Sequence, residues 1–285
     1  MEDLILKVEN VSKYYPGVTA LNNVSFTIKK GEVRALVGEN GAGKSTLIKC
    51  IMGVERPDTG HVSMNYNGEW VINTDALEAQ RHGVFANYQN VNIADELSVA
   101  ENYFLGNQPR NAFGIIDWKK MNEESSKILH KFSMDIDPRE KINRLPLAMQ
   151  AMVTISKIDL NKNIKLVIFD EPTASLDPKN VAIFEDALDK MSSDGKTLVI
   201  STHDIEFAYR FADRIVVFCD GNIIADGKPV DVLSDSNVLK MANLKKPILL
   251  DVFDTLVENS IVKKDCVPVR SVEEFRDLII SQAKA

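Results

Sequence analysis

Cysteine is scarce. Cys50, Cys219 and Cys266 are the only three in 285 residues, and their spacing offers neither a metal-ligand cluster nor a disulfide framework. They read as reduced thiols of a cytosolic chain. No apolar run approaches the roughly 18 residues of a membrane-spanning helix. Met1-Glu2-Asp3 opens with acid and lacks the basic start and apolar stretch of a secretory signal. A basic excess is missing too: 34 Lys and Arg against 41 Asp and Glu give a net charge of −7. With no basic stripe either, nucleic acid is excluded as the main partner. Any membrane contact is therefore expected to pass through another protein. Internal repeats and low-complexity segments are also absent. What remains is ordinary globular composition, 45% hydrophobic and 26% charged, sized for one large domain with or without an appendage.

Chemistry enters at Gly38-Glu39-Asn40-Gly41-Ala42-Gly43-Lys44-Ser45-Thr46, which fits the GxxxxGK[ST] pattern in full. Val33 to Val37 ahead of it reads as a buried strand, and Thr46 to Met52 behind it reads as a helix. A strand entering a glycine-rich turn and then a helix aims several backbone N–H groups at one point. The helix dipole adds positive potential there, so polyphosphate is held without bulky side chains. Lys44 is placed to reach the β- and γ-phosphates, and the Ser45 hydroxyl to ligate Mg²⁺. A chance glycine-rich turn is the competing reading. It does not account for strand, loop and helix standing in register.

A second apolar strand, Leu166-Val167-Ile168-Phe169, ends in Asp170-Glu171. Carboxylates there face the crevice where parallel α/β sheets bind ligands. Asp170 suits Mg²⁺ coordination, directly or through a water between them, and Glu171 suits the base for an attacking water. Alone, an acidic pair after a strand is more often a solvated turn. Beside the phosphate loop the functional reading prevails.

With these residues in hand, the chain resembles the nucleotide-binding subunits of ATP-binding cassette transporters over roughly Leu4 to Ala242. The resemblance implies an α/β P-loop cassette with an antiparallel β subdomain, a mostly parallel core sheet and a helical subdomain. It implies ATP and Mg²⁺ as ligands. Tyr15 stands where that family stacks an aromatic on adenine, and Gln89 where it senses Mg²⁺ and faces the membrane subunit. Ser175-Leu176-Asp177 matches the loop that crosses the dimer interface. His203, in Ser201-Thr202-His203-Asp204, matches the switch histidine contacting the γ-phosphate. Each alone has a bland reading as packing, loop amide or structural histidine; order and spacing carry the likeness.

The implied cassette covers residues 1–244, with the helical subdomain at about 92–160. Val24 to Ile28 alternates as a half-buried strand, Lys30-Gly31 turns the chain, and Asp117 is the expected N-cap of a helix over Trp118 to Lys131. Residues 245–285 are expected to form a tail with an amphipathic helix begun by a Ser271/Glu274 capping box. The tail is expected to be separable from the folded cassette. Asp251-Val252-Phe253-Asp254-Thr255-Leu256 is similar to the opening motif of haloacid-dehalogenase-like phosphatases. Too few residues follow to build that fold.

One motif departs from the family. Its LSGGQ signature closes on the γ-phosphate bound by the opposite subunit, and here the matching stretch is Leu145-Pro146-Leu147-Ala148-Met149-Gln150. Pro146 removes a hydroxyl and an N–H, and Ala148 adds a methyl where close approach is needed. Proline suits a helix's first turn, so the helix is expected to form while the phosphate contact is lost.

Gly17-Val18-Thr19-Ala20-Leu21, Leu97 to Asn102, Phe104-Leu105-Gly106, Asp117 to Met121 and Asp135 to Arg139 look like monosaccharide importers, in particular the N-terminal cassette of ribose- and galactose-type systems. The implied protein is an ATPase on the cytoplasmic face of the plasma membrane, peripheral through a permease. A second, non-identical cassette with an intact signature and, indirectly, a substrate-binding protein complete the assembly. Nucleoside importers share much of the pattern. A cassette switch outside transport is the second class; its translation relatives carry two cassettes and its repair relatives long coiled coils, and neither appears. A module that no longer hydrolyses is the third; Glu171 and His203 stand against it, and the altered signature stands partly for it.

Overall fold

A long hairpin opens the chain. Strand β1 (Leu4–Tyr15) and strand β2 (Val18–Lys29) pair antiparallel across Pro16-Gly17, and Gly17 takes the positive φ of 78° that the tight turn requires. Val24, Phe26 and Ile28 are buried on β2 while Ser25, Thr27 and Lys29 are exposed, the alternation of a sheet covered on one face. This computed structural model describes residues 3–87, 93–161, 163–173, 178–263 and 265–283.

Strand β3 (Val33–Val37) follows and feeds helix α1 (Lys44–Ile51). Then come β4 (Thr59–Tyr66), β5 (Glu69–Ile72), α2 (Ala76–Arg81) and β6 (Val84–Asn87). A helical stretch holds α3 (Val99–Tyr103), α4 (Trp118–Lys131) and α5 (Leu147–Ser156). The chain next alternates: β7 (Leu166–Asp170), α6 (Pro178–Ser193), β8 (Thr197–Thr202), α7 (Ile205–Phe211), β9 (Arg214–Cys219) and β10 (Asn222–Gly227). It closes with α8 (Pro229–Ser234), α9 (Ser236–Met241), α10 (Ile248–Glu258) and α11 (Val272–Ala283).

Among the described residues, β2-β1-β4-β5 form an antiparallel sheet, and β10-β9-β3-β8-β7-β6 form a sheet that is parallel apart from its β9–β10 edge. Every residue of β3 and β8 is buried, as expected of strands covered on both faces. Leu36, Ile168, Val199 and Val216 pack with α1 and the antiparallel sheet. Val167, Phe169, Leu198 and Ile200 turn the other way, toward α5, α6 and α7. The phosphate-loop helix is thereby clamped between the two sheets. No helix among the described residues is long and apolar enough to cross a membrane.

The expected cap of α4 is present: Asp117 accepts the Lys120 N–H at 3.0 Å. Pro146 sits one position earlier than expected, as the N-cap of α5 rather than inside its first turn. The helix forms because φ of −53° is natural to proline and the missing N–H needs no partner there.

The tail packs on the cassette. Leu250, Phe253, Val262 and Val269 are buried, and Leu250 belongs to the cluster containing Ala208, Tyr209 and Val232. The phosphatase-like motif lies wholly inside α10, so its aspartates are not at a strand end. At α11, Ser271 Oγ accepts the Glu274 N–H at 3.1 Å. The Glu274 carboxylate reaches back to the Arg270 N–H at 2.7 Å, not to that of Ser271, so the box is displaced by one residue.

Candidate functional site

Close approach of neighbouring backbone dictates two of the loop glycines. A Cβ on Gly43 would stand 2.4 Å from the Ala20 carbonyl oxygen of β2, and one on Gly38 would stand 2.5 Å from that of Phe218 on β9. Gly43 also holds φ at 108°, closed to ordinary side chains. The loop is thus threaded between strands from both sheets. Gly41 has open space around it, and with Glu39 and Asn40 it lies on the exposed rim, while Ala42 is buried.

Lys44, on the first turn of α1, is buried to 5% exposure and folds back over the loop. Its ammonium donates to the Gly38 carbonyl at 2.6 Å and the Glu39 carbonyl at 3.1 Å. It also stands 3.3 Å from Glu171 Oε1. Ser45, beside it, donates to Asp170 Oδ1 at 3.2 Å.

Parallel pairing brings the carboxylates here. Asp170 at the end of β7 lies opposite Ser201 of β8, and the buried Ser201 hydroxyl donates to Asp170 Oδ1. Ser201 also accepts the Glu171 N–H, through its carbonyl at 3.0 Å and its hydroxyl at 3.1 Å. That grip holds Glu171 at a φ of +49°, a conformation uncommon for a non-glycine residue. The Glu171 side chain then turns inward between two partners. Oε1 faces Lys44, and Oε2 meets His203 Nδ1 at 2.7 Å. An ionised carboxylate only accepts, so Nδ1 carries the proton in that bond.

Tyr15 ends β1 at the edge of this region, 38% exposed. Its hydroxyl donates to Glu55, and the phenol is pushed up to about 12, first by that bond and then by burial. Glu55 is held below the usual carboxylate range by the same bond, with Lys49 Nζ 3.2 Å away. Thr46 also faces the phenol. Lys13 Nζ stands over the ring, 5.7 Å from its centroid, while the hydroxyl is tied to Glu55.

The structure brings together Lys44, Ser45, Asp170, Glu171 and His203, with Tyr15 and Thr46 nearby. Gln89 and Ser175-Leu176-Asp177 lie outside the described residues. Sequence reasoning passed over Ser201, quoted only as context for His203, and Glu55. A hydroxyl at the end of the strand neighbouring Asp170 was the available signal for Ser201.

The residues fit the nucleotide and metal that the sequence implied. Glu171 Oε1 is buried without a hydrogen bond in geometry, 3.3 Å from a lysine. Ser45 and Asp170 converge hard oxygen atoms, the donors Mg²⁺ prefers.

Three comparisons bear on this arrangement. The model of the family described as "ABC transporter" matches residues 21–174. A ribose import ATP-binding protein of Rhizobium meliloti (strain 1021) is 42% identical over 236 residues, 83% of this chain and 46% of that protein. A xylose import ATP-binding protein of Geobacillus kaustophilus (strain HTA426) is 34% identical over 280 residues, 98% of this chain and 55% of that protein. The chain therefore spans about half the length of the curated relatives it matches, and the second match reaches into residues 245–285. Among solved structures, the ADP conformation of an ATP-binding cassette of an ABC transporter superposes with a TM-score of 0.72 at 26% identity, covering 84% of this chain and 98% of that one.

Proposed function

The chain belongs to the ABC transporter family, and from that premise we propose that it is the Mg²⁺-dependent, ATP-hydrolysing subunit of a membrane importer for a sugar. The observation that carries the reading is the contact chain at the loop. Lys44, Glu171 and His203 touch in sequence, and Ser45 meets Asp170 beside them. The relatives named for ribose and xylose import support the choice of sugar.

In this reading the loop amides and Lys44 bind the β- and γ-phosphates, and Tyr15 stacks on adenine. Ser45 and Asp170 would hold Mg²⁺ together with Gln89, and the ion would supply positive charge facing the phosphates. Glu171 accepts a proton from the water that attacks the γ-phosphorus, while the electron pair of the breaking P–O bond leaves with ADP. His203 orients Glu171 through Nδ1–H and reaches the γ-phosphate through Nε2 when that nitrogen also carries a proton. A permease would receive the work through the surface around Gln89. The partner cassette would be a different chain bearing an intact signature.

Lys44→Ala removes the cation facing the phosphates and is expected to weaken ATP binding at least about tenfold. Isothermal titration with Mg²⁺-ATP checks this, and an unchanged affinity rejects the loop assignment. Mass spectrometry of the complex purified from its native membrane identifies permease and partner; recovery with soluble proteins alone rejects the importer reading.

A further inference from the structure

His203 lies one residue before Asp204, the N-cap of α7, whose carboxylate accepts the Phe207 N–H at 3.0 Å. Its side chain is 55% exposed, so surrounding packing does not fix the ring. Its place is set by the backbone at the start of α7 and by Glu171. A seven-residue helix spans only about 10 Å, so a shift at one end is carried to the other.

Residues beyond 247 hold that short helix at both ends. The Ile248 N–H donates to Glu206 Oε1 at 2.8 Å near its start. Near its finish, the fully buried Tyr209 donates its hydroxyl to the Val269 carbonyl at 2.8 Å. Arg270 then reaches under the helix terminus, with Nε donating to the Tyr209 carbonyl at 2.8 Å and Nη2 to that of Ala212. Carbonyls at a helix C-terminus have no partner within the helix, and a guanidinium there also complements the dipole. Arg270 is itself held, its N–H bound by the Glu274 carboxylate that leads α11.

We propose that Arg270 and Tyr209 are positioning residues for hydrolysis: by clamping α7 to the C-terminal segment, they place His203 against Glu171. This rests on the ATPase reading above. Neither side chain touches the reacting atoms, and both act through the imidazole. The segment beyond the cassette thereby becomes part of the switch.

The experiment uses the full chain with ¹⁵N-labelled histidine, whose four imidazoles are assigned by substitution. In Arg270→Ala and Tyr209→Phe the His203 ring resonances are expected to move, while those of His61, His82 and His130 hold. Titrated ATP affinity is expected to stay within about twofold while turnover at saturating ATP falls about tenfold, the scale of a small misplacement of a reacting group. Arg270→Lys, retaining one donor, is expected to recover part of the loss. In a His203→Ala background Arg270→Ala is expected to have no further effect on turnover. Unmoved His203 resonances, or an Arg270 effect undiminished without His203, overturn the proposal. If Arg270→Ala does not fold, Arg270→Lys and Tyr209→Phe carry the same readouts. A wild-type chain that binds no ATP defeats the ATPase reading, while the resonances still decide the clamp.

Discussion

At the scale of single residues the site is a competition for Glu171. Lys44 draws one carboxylate oxygen and His203 the other, and the strained backbone at φ +49° keeps the group between them. Glu171→Gln preserves size and removes the ability to take a full proton. It is expected to retain Mg²⁺-ATP binding and to lose turnover by about 10² to 10⁴-fold, the usual worth of a general base. Trapped, unhydrolysed nucleotide after rapid filtration checks this; near-normal turnover in the competent assembly moves the base elsewhere. Gly43→Ala tests the loop without touching its charges. A methyl would overlap the Ala20 carbonyl at 2.4 Å, so β2 or the loop must shift, and φ of 108° adds strain. ATP affinity is expected to fall together with thermal stability, by titration and calorimetry.

At the scale of elements, β3 is anchored by a charge as well as by its apolar residues. Arg34 is 2% exposed. Its guanidinium pairs with Glu32 at 2.8 Å and with Asp226 of β10, and donates to the Thr27 carbonyl of β2 at 2.7 Å. Both sheets are thereby tied to the strand that delivers the phosphate loop. Emptying a buried pair of one partner costs roughly 3–5 kcal/mol, and with Glu32 retained Asp226→Ala is expected to cost about 2 kcal/mol. Urea unfolding is the measurement, read as a lower midpoint at unchanged slope. What the sequence made legible follows the same division. β3, α1 and the Asp117-capped α4 were readable because their signals are local: an apolar run, a glycine pattern, a cap. Ser201 opposite Asp170 depends on strand register across 31 residues, and Gly43 depends on a carbonyl of β2. The docking of the tail turned on Tyr209 meeting Val269 across 60 residues. Amphipathicity told that α11 would carry an apolar face, and along it Phe275, Leu278 and Ile279 are half-buried while Val272 is exposed.

At the scale of the whole molecule, the proposed reading makes the stretch from Leu145 to Gln150 decide how two cassettes would share their work. In the proposed head-to-tail pair, each ATP would lie between one subunit's phosphate loop and the other's signature helix. In this chain that helix is α5, entered through Pro146, which contributes no capping hydroxyl. A self-pair would set Pro146 and Ala148 against both nucleotides and weaken both sites. A different partner with an intact signature would complete the site built on Lys44, Asp170, Glu171 and His203, leaving the opposite site to hold ATP as a joint. Losing a single hydrogen bond to transferred phosphate in the transition state costs on the order of 3 kcal/mol, about a hundredfold in rate. The chain alone is therefore expected to turn over slowly and to accelerate by about that factor when the partner is added. Pro146→Ser with Ala148→Gly is expected to raise the activity of the lone chain, because it restores both the hydroxyl and the close approach. The helix is expected to tolerate the change, since serine is a favoured N-cap. Steady-state phosphate release by the wild-type and doubly substituted chains, each alone, is the comparison. Fast, cooperative hydrolysis by the unmodified chain alone would show that Pro146 and Ala148 leave the shared site competent.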